Sequence, residues 1–259
     1  MALLDGKTAV VTGAASGFGR AISRTFARNG ADVIVADIRT APREGGTPTH
    51  ELITEQTGQR AYHVDCDVTS ADDLAVAVEA ASELGGVDVM VNNAGLFRTD
   101  EFLEVSESEY EQLMNVNVKG VFFGAQAAAR EMVDDGEGTI INMSSAAGYT
   151  GAKDFVTYCT SKGAVRLLTY ALAARFGPEG IRVNSINPGF AETGMMADSE
   201  LGEGIRGRIQ DAVLKRTIPQ RRYAQPQEVA NVALFLASDL SSYVNGESIL
   251  VDGGLTHTG

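Results

Sequence analysis

The stretch Thr12-Gly13-Ala14-Ala15-Ser16-Gly17-Phe18-Gly19 (TGAASGFG) decides how this chain is read. It closes the apolar run TAVVT at residues 8–12 and opens a helical pattern over residues 17–29 that stops at Asn29-Gly30. Glycines between a strand and a helix let the backbone turn sharply and approach a pyrophosphate. The helix offers that anion unpaired N–H groups and the positive end of its dipole. Eighteen residues beyond Gly19, Asp37 ends a second apolar run, where a carboxylate can accept hydrogen bonds from both hydroxyls of an adenosine ribose. The same carboxylate repels a 2′-phosphate, and neither Ser16 nor Ile38 is basic, so NAD is expected over NADP. Arg39 argues the other way. The structural alternatives are a plain tight turn for the glycines and a strand-end turn for Asp37.

Outward from this motif, short apolar runs recur at residues 32–37, 61–65, 88–92, 139–143, 182–187 and 248–251. Most are nearly continuous in apolar character, as in parallel strands covered on both faces. Helical patterns lie between them. Ser70, with Asp72 and Asp73, opens one that runs to Leu84 and is closed by Gly85-Gly86. Ser106 with Glu109 three residues later resembles a capping box for a helix reaching about residue 134. Residues 155–176 stop at Gly177-Pro178, and Pro226 sits where a first helical turn tolerates it. The alternation predicts an α/β fold: a Rossmann-type doubly wound parallel sheet with helices on both faces, in a single domain over residues 1–259. Residues 40–49 (TAPREGGTPT) read as an irregular loop, and residues 190–222 as a long loop able to cover a substrate.

The chain has 259 residues and a formal net charge of −13, which opposes nucleic-acid and anionic-membrane partners. Only Lys7, Lys119, Lys153, Lys162 and Lys215 among its 21 basic residues are lysine, and an acidic, lysine-poor surface suits high ionic strength. Cys66 and Cys159 read as packing residues in a reducing compartment. With no basic stretch ahead of a long apolar one at the start, a cytoplasmic location is expected. His50, His63 and His257 are scattered, and Asp65-Cys66-Asp67 ends a strand, so no metal site is expected.

TGxxxGxG departs from the usual dinucleotide spacing, and other elements follow in order. They are Asp67-Val68, Asn92-Asn93-Ala94-Gly95, Asn117, Ser145, Tyr158 with Lys162, Pro188-Gly189 with Thr193, and Asp252-Gly253-Gly254. Across essentially the whole chain this resembles the classical short-chain dehydrogenase/reductase family. The resemblance implies that Gly13, Ser16, Gly17, Phe18, Gly19 and Asp37 bind the cofactor, that Asp67 and Val68 contact its adenine, and that Tyr158 and Lys162 also touch it, Lys162 holding the nicotinamide ribose. By the same likeness Asn93, Ala94 and Gly95 wall the adenosine, while Pro188, Gly189 and Thr193 edge the nicotinamide. It further implies a homodimer or homotetramer built on the long helices after the fourth and fifth strands. The alanine-rich stretches at 125–129 and 171–174 would permit close packing there, or inside one subunit.

Tyr158 and Lys162, four residues apart on a helix, share a face. An unperturbed phenol titrates near pH ~10, and a neighbouring ammonium favours the phenolate. Ser145, thirteen residues upstream, stands where it can hold the reacting oxygen; Ser144 is its rival. Asn117 resembles the family asparagine that props a water joined to the lysine; Asn115 is the neighbour in weaker register. The expected activity is hydride transfer between NAD(H) and a secondary alcohol or ketone, with a sugar-derived hydroxy or keto acid or a polyol as the favoured substrate and a mostly apolar ketone, such as a steroid or terpenoid, as the alternative. The candidate wall is Phe97, Arg98, Tyr149, Lys153, Phe155, Phe190, Glu192, Met195 and Met196. The rivals are an NADPH-dependent 3-oxoacyl reductase, which Asp37 opposes, and a nucleotide sensor without chemistry, which could dispense with Asn117, Ser145, Tyr158 and Lys162.

Overall fold

A computed structural model describes residues 2–192 and 215–258. Seven strands form one parallel sheet: β1 (Thr8–Thr12), β2 (Asp32–Asp37), β3 (Ala61–Asp65), β4 (Val89–Asn92), β5 (Gly138–Met143), β6 (Ile181–Pro188) and β7 (Ser248–Val251). Their spatial order is β3-β2-β1-β4-β5-β6-β7. The helices are α1 (Gly17–Arg28), α2 (Thr49–Thr57), α3 (Ala71–Glu79), α4 (Glu107–Met114), α5 (Gly120–Asp135), α6 (Val156–Phe176), α7 (Pro226–Ala237) and α8 (Leu255–Thr258).

The continuous apolar strands are explained by the two faces they serve. Ala9, Val11, Val33, Val35 and Ile141 pack with Ile22 and Phe26 of α1 and Val229 and Leu236 of α7. Their strand neighbours Val10, Ile34 and Ile140 point the other way, onto Leu74 of α3 and Ala128 and Met132 of α5. Each fully buried aliphatic side chain contributes roughly 1.5–3 kcal/mol, so the sheet is held from both sides. This is the doubly wound arrangement the alternation predicts. The chain leaves β1 towards β2 and β3, then returns on the other side as β4. That reversal opens a crevice at the carboxyl ends of β1 and β4.

Three local features differ from the expectation. The helix beginning at Ser106, whose capping box forms with both hydrogen bonds, is interrupted by a π-helical turn over Asn115–Lys119 before α5 resumes. The pattern from Ser70 to Leu84 is α3 followed by a tighter 3₁₀ turn over Ala80–Leu84, ended by left-handed Gly85. Thr49, expected to end an irregular loop, instead begins α2, which buries only Thr49 and Ile53.

Candidate active site

The carboxyl end of β1 carries the glycine loop. Gly13 has φ +63°, and a Cβ there would stand 2.9 Å from the Ala94 backbone, so only glycine fits. At Gly19 a Cβ would collide with the Gly13 carbonyl and with Asn93 Nδ2. Ser16, the residue ahead of α1, makes no side-chain capping bond, and the first amide of the helix, Gly17 N–H, donates instead to Glu44 Oε1 at 3.4 Å. Asn93 and Thr12 lock the loop. Asn93 Nδ2 donates to the carbonyls of Thr12 (2.8 Å) and Gly13 (3.1 Å), and Thr12 Oγ1 accepts from the amides of Asn93 (3.0 Å) and Ala94 (3.1 Å). Thr12 lies inside the quoted motif, yet its hydroxyl carries no chemistry a sequence reading would single out.

Asp37, at the end of β2, accepts from the amides of Ala15 (2.9 Å) and Arg39 (3.0 Å), which lays its carboxylate directly on the loop. Residues 40–49 cross the same entrance. The Arg43 amide donates to Ser16 Oγ at 2.8 Å, and Arg20 holds the Thr47 carbonyl and Thr49 Oγ1, both at 2.9 Å. At the end of β3 the Asp67 carboxylate is committed to Thr69, at 2.9 Å to its amide and 2.8 Å to its hydroxyl. Val68 is buried beneath Gly120.

Beyond the carboxyl end of β5 the two serines part. Ser144 is buried and donates to the Lys162 carbonyl at 2.8 Å, which ties β5 to α6. Ser145 faces the Tyr158 phenol, accepts from the Ala147 amide at 3.2 Å and donates to the Pro188 carbonyl at 3.4 Å. The family spacing had selected the serine that meets Tyr158. Lys162 is buried, donates to the Met143 carbonyl at 2.9 Å and lies 5.7 Å from the centroid of the Tyr158 ring. Burial without a carboxylate partner lowers its ammonium to about 8. Burial also pushes the Tyr158 phenol up to about 12, opposed by the neighbouring Ser145 hydroxyl, which lowers it. A lowered phenol was expected from Lys162 together with the positive nicotinamide of the oxidised cofactor; in the chain alone burial sets the direction.

Asn117 occupies the π-helical turn and is fully buried, whereas Asn115 is exposed. Its amide accepts from the Leu96 amide (2.7 Å) and donates to the Leu96 carbonyl (2.9 Å) and to Ser161 Oγ (3.1 Å). A methyl group added at Gly95 would stand 3.4 Å from Asn117 Oδ1 and 3.5 Å from Lys162 Nζ, so these two polar ends converge on one point.

Of the wall residues, Phe97 lies edge-on to Tyr158 at 5.0 Å and to Phe155 at 5.6 Å. Phe190 packs with Tyr223. The Tyr149 hydroxyl is committed to the Ser248 carbonyl at 2.6 Å, and Arg98 to Gln112 at 3.0 Å. Glu192 accepts from Gln225 ahead of α7 at 2.7 Å, and Lys153 is 91% exposed. Thr193, Met195, Met196 and most of the 190–222 loop lie outside the described residues. Pro188 ends β6 and Gly189 follows it, packed against Asp252. His50 and His63, far apart in sequence, stand 5.9 Å apart as rings. Among the described residues no group of three metal-ligating side chains converges, and no helix is long and apolar enough to cross a membrane.

Comparison with known proteins agrees with this geometry. The family model described as enoyl-(acyl carrier protein) reductase matches residues 13–256. An L-2,3-butanediol dehydrogenase of Corynebacterium glutamicum is 42% identical over 97% of this chain and 99% of its own. A D-threitol dehydrogenase of Mycolicibacterium smegmatis is 37% identical over 98% and 94%. Among solved structures, a gluconate 5-dehydrogenase from Burkholderia cenocepacia J2315, in complex with NADP and tartrate, superposes with a TM-score of 0.87. It is 33% identical over 98% of this chain and 96% of that one. With the glycine loop, the crevice and the sheet order already in place, full-length likeness of this degree is conclusive: the chain belongs to the short-chain dehydrogenase/reductase family, and is an oxidoreductase that takes a nicotinamide dinucleotide.

Proposed function

We propose that the enzyme interconverts a secondary alcohol and its ketone with NAD(H), Tyr158 handling the proton and Ser145 holding the oxygen. The observation that carries this reading is the meeting of the Ser145 hydroxyl and the half-buried Tyr158 phenol beside Lys162, at the end of the sheet that bears the glycine loop. The glycine turn at the start of α1 and the Asp37 carboxylate lying on it fit a dinucleotide. Gly13, Ser16, Gly17, Phe18 and Gly19 would hold its pyrophosphate, Asp37 its adenosine ribose, and Asp67 and Val68 its adenine. Asn93, Ala94 and Gly95 would back it, with Pro188, Gly189 and Thr193 at the nicotinamide end. When bound, it supplies the acceptor or donor of hydride.

The protein's own residues supply orientation and proton transfer. Ser145 fixes the substrate oxygen against the Tyr158 hydroxyl. In reduction, the phenol, protonated at neutral pH, gives its proton to that oxygen. The Lys162 charge favours the phenolate this leaves, and in oxidation that phenolate takes the alcohol proton back and returns to the phenol. Asn117 holds Leu96 and Ser161 in place beside Lys162, at the inner end of this polar chain.

A small polyol or sugar-derived hydroxy or keto acid is the substrate class we favour. The threitol, butanediol and gluconate activities named for the relatives support it. Asp37 on the loop supports NAD. The Arg43 amide on Ser16, and the NADP held by the gluconate 5-dehydrogenase, favour the second reading, an NADPH-dependent 3-oxoacyl reductase. Turnover of polyols, hydroxy acids and a 3-oxoacyl thioester with each cofactor, followed at the nicotinamide absorbance, separates the two. NAD-linked oxidation of polyols supports the first, and NADPH-linked reduction of the thioester alone overturns it.

A single catalytic domain, a cytoplasmic location and assembly into dimers or tetramers complete the proposal. The free cysteines support the second. For assembly, the alanines of 125–129 are used inside the subunit, whereas Leu167 (66% exposed), Tyr170, Ala171 and Ala174 leave an apolar stripe uncovered on α6.

A further inference from the structure

Helix α6 presents Tyr158 in its first turn, yet it has no cap of its own. Phe155, the residue ahead of it, makes no side-chain capping bond, and the first turn carries no acidic residue. The cap comes from elsewhere in the chain. Asp100, in the connection after β4, accepts from the Val156 amide through Oδ1 (2.9 Å) and from the Thr157 amide through Oδ2 (2.8 Å), while its own amide donates to the Asp154 carbonyl (2.9 Å). Both oxygens are spent on the two residues that immediately precede Tyr158. A carboxylate so placed satisfies orphan amides and suits the positive end of the helix.

The segment carrying Asp100 is held at its other end as well. Leu96 is bound through both its amide and its carbonyl to Asn117. Between these anchors Phe97 packs edge-on against the Tyr158 ring at 5.0 Å. Residues 96–100 therefore form a strap fastened to the π-helical turn at one end and to the start of α6 at the other, with the tyrosine beneath it.

We propose that Asp100 is a positioning residue: by fastening this strap to the first turn of α6 it sets the place of the Tyr158 hydroxyl relative to Ser145. The inference rests on Tyr158 handling the proton, as proposed above. A displaced hydroxyl slows proton transfer far more than it disturbs the dinucleotide contacts, most of which are proposed on the glycine loop, Asp37 and the end of β3, away from Asp100.

The test is steady-state kinetics of Asp100→Ala and Asp100→Asn, well below their melting temperatures, with cofactor binding measured by titration and Tyr158→Phe alongside. Asp100→Ala should lower kcat at least tenfold per folded subunit, with the NADH dissociation constant within about twofold of wild type. Asp100→Asn, which keeps one acceptor oxygen, should recover part of that loss. Wild-type kcat in both variants, with or without a lower melting temperature, overturns the inference, because a purely structural cap would do no more than that. A loss of cofactor affinity equal to the loss of kcat overturns it too. Full turnover in Tyr158→Phe would instead remove the reading beneath it.

Discussion

Lys162 is 4% exposed, has no carboxylate beside it, and is lowered from 10.5 to about 8 by burial. That shift corresponds to about 3 kcal/mol of strain on the charged form at neutral pH. Between pH 8 and 10.5 the folded chain binds fewer protons here than the unfolded chain, so this group makes stability rise with pH in that window. Below pH 8 the penalty is present in full. Lys162→Met would orphan the Met143 carbonyl, at roughly 1–2 kcal/mol, and still come out ahead. We predict a melting temperature a few degrees above wild type at pH 7, a smaller gain at pH 9.5, and turnover close to zero. Unchanged or lower stability at pH 7 would contradict the burial argument. The serines give a second contrast. Ser145→Ala should reduce kcat about a hundredfold with little change in melting, whereas Ser144→Ala should lose stability, by roughly 1 kcal/mol, and keep most of its kcat; steady-state rates and melting curves check both. Family spacing made the choice of Ser145 over Ser144 legible. Asp100 was not, because its partners lie 56 and 57 residues away and nothing local marks it.

At the scale of elements, the strands and most helices were readable because their signals are local. Apolar runs, Ser106 with Glu109 and the stop at Gly85 each work within a few residues. The π-helical turn at Asn115–Lys119 was not, since an extra residue in a helix leaves the surrounding pattern intact. Helix α2 escaped because only Thr49 and Ile53 are buried, too few to draw an apolar stripe. The glycine loop depends on a neighbour the motif does not contain, Asn93. Asn93→Ala removes the two bonds from its side chain to the Thr12 and Gly13 carbonyls. It should weaken NADH binding about tenfold by titration while leaving the fold intact; unchanged affinity would show that the loop holds itself.

For the whole molecule, the doubly wound sheet followed from alternation alone, and the crevice between β1 and β4 followed from the strand order. Assembly did not, because an alanine run says nothing of which neighbour it meets. The run at 125–129 turned out to face the subunit's own interior. The uncovered stripe on α6 predicts that Leu167→Glu breaks the oligomer into smaller species by light scattering after size exclusion. A wild-type monomer would contradict it. The −13 charge predicts a separate property, retained activity in molar potassium chloride, which screens the repulsion among acidic side chains.

The claim on which these depend is that Tyr158 moves the proton in a nicotinamide-linked alcohol–ketone interconversion. Wild type and Tyr158→Phe should be compared on a panel of polyols and sugar acids with NAD, with NADH binding titrated in parallel. Tyr158→Phe should lose at least ~10²–10⁴ in turnover and bind NADH as wild type does. Turnover in Tyr158→Phe equal to wild type would contradict that claim.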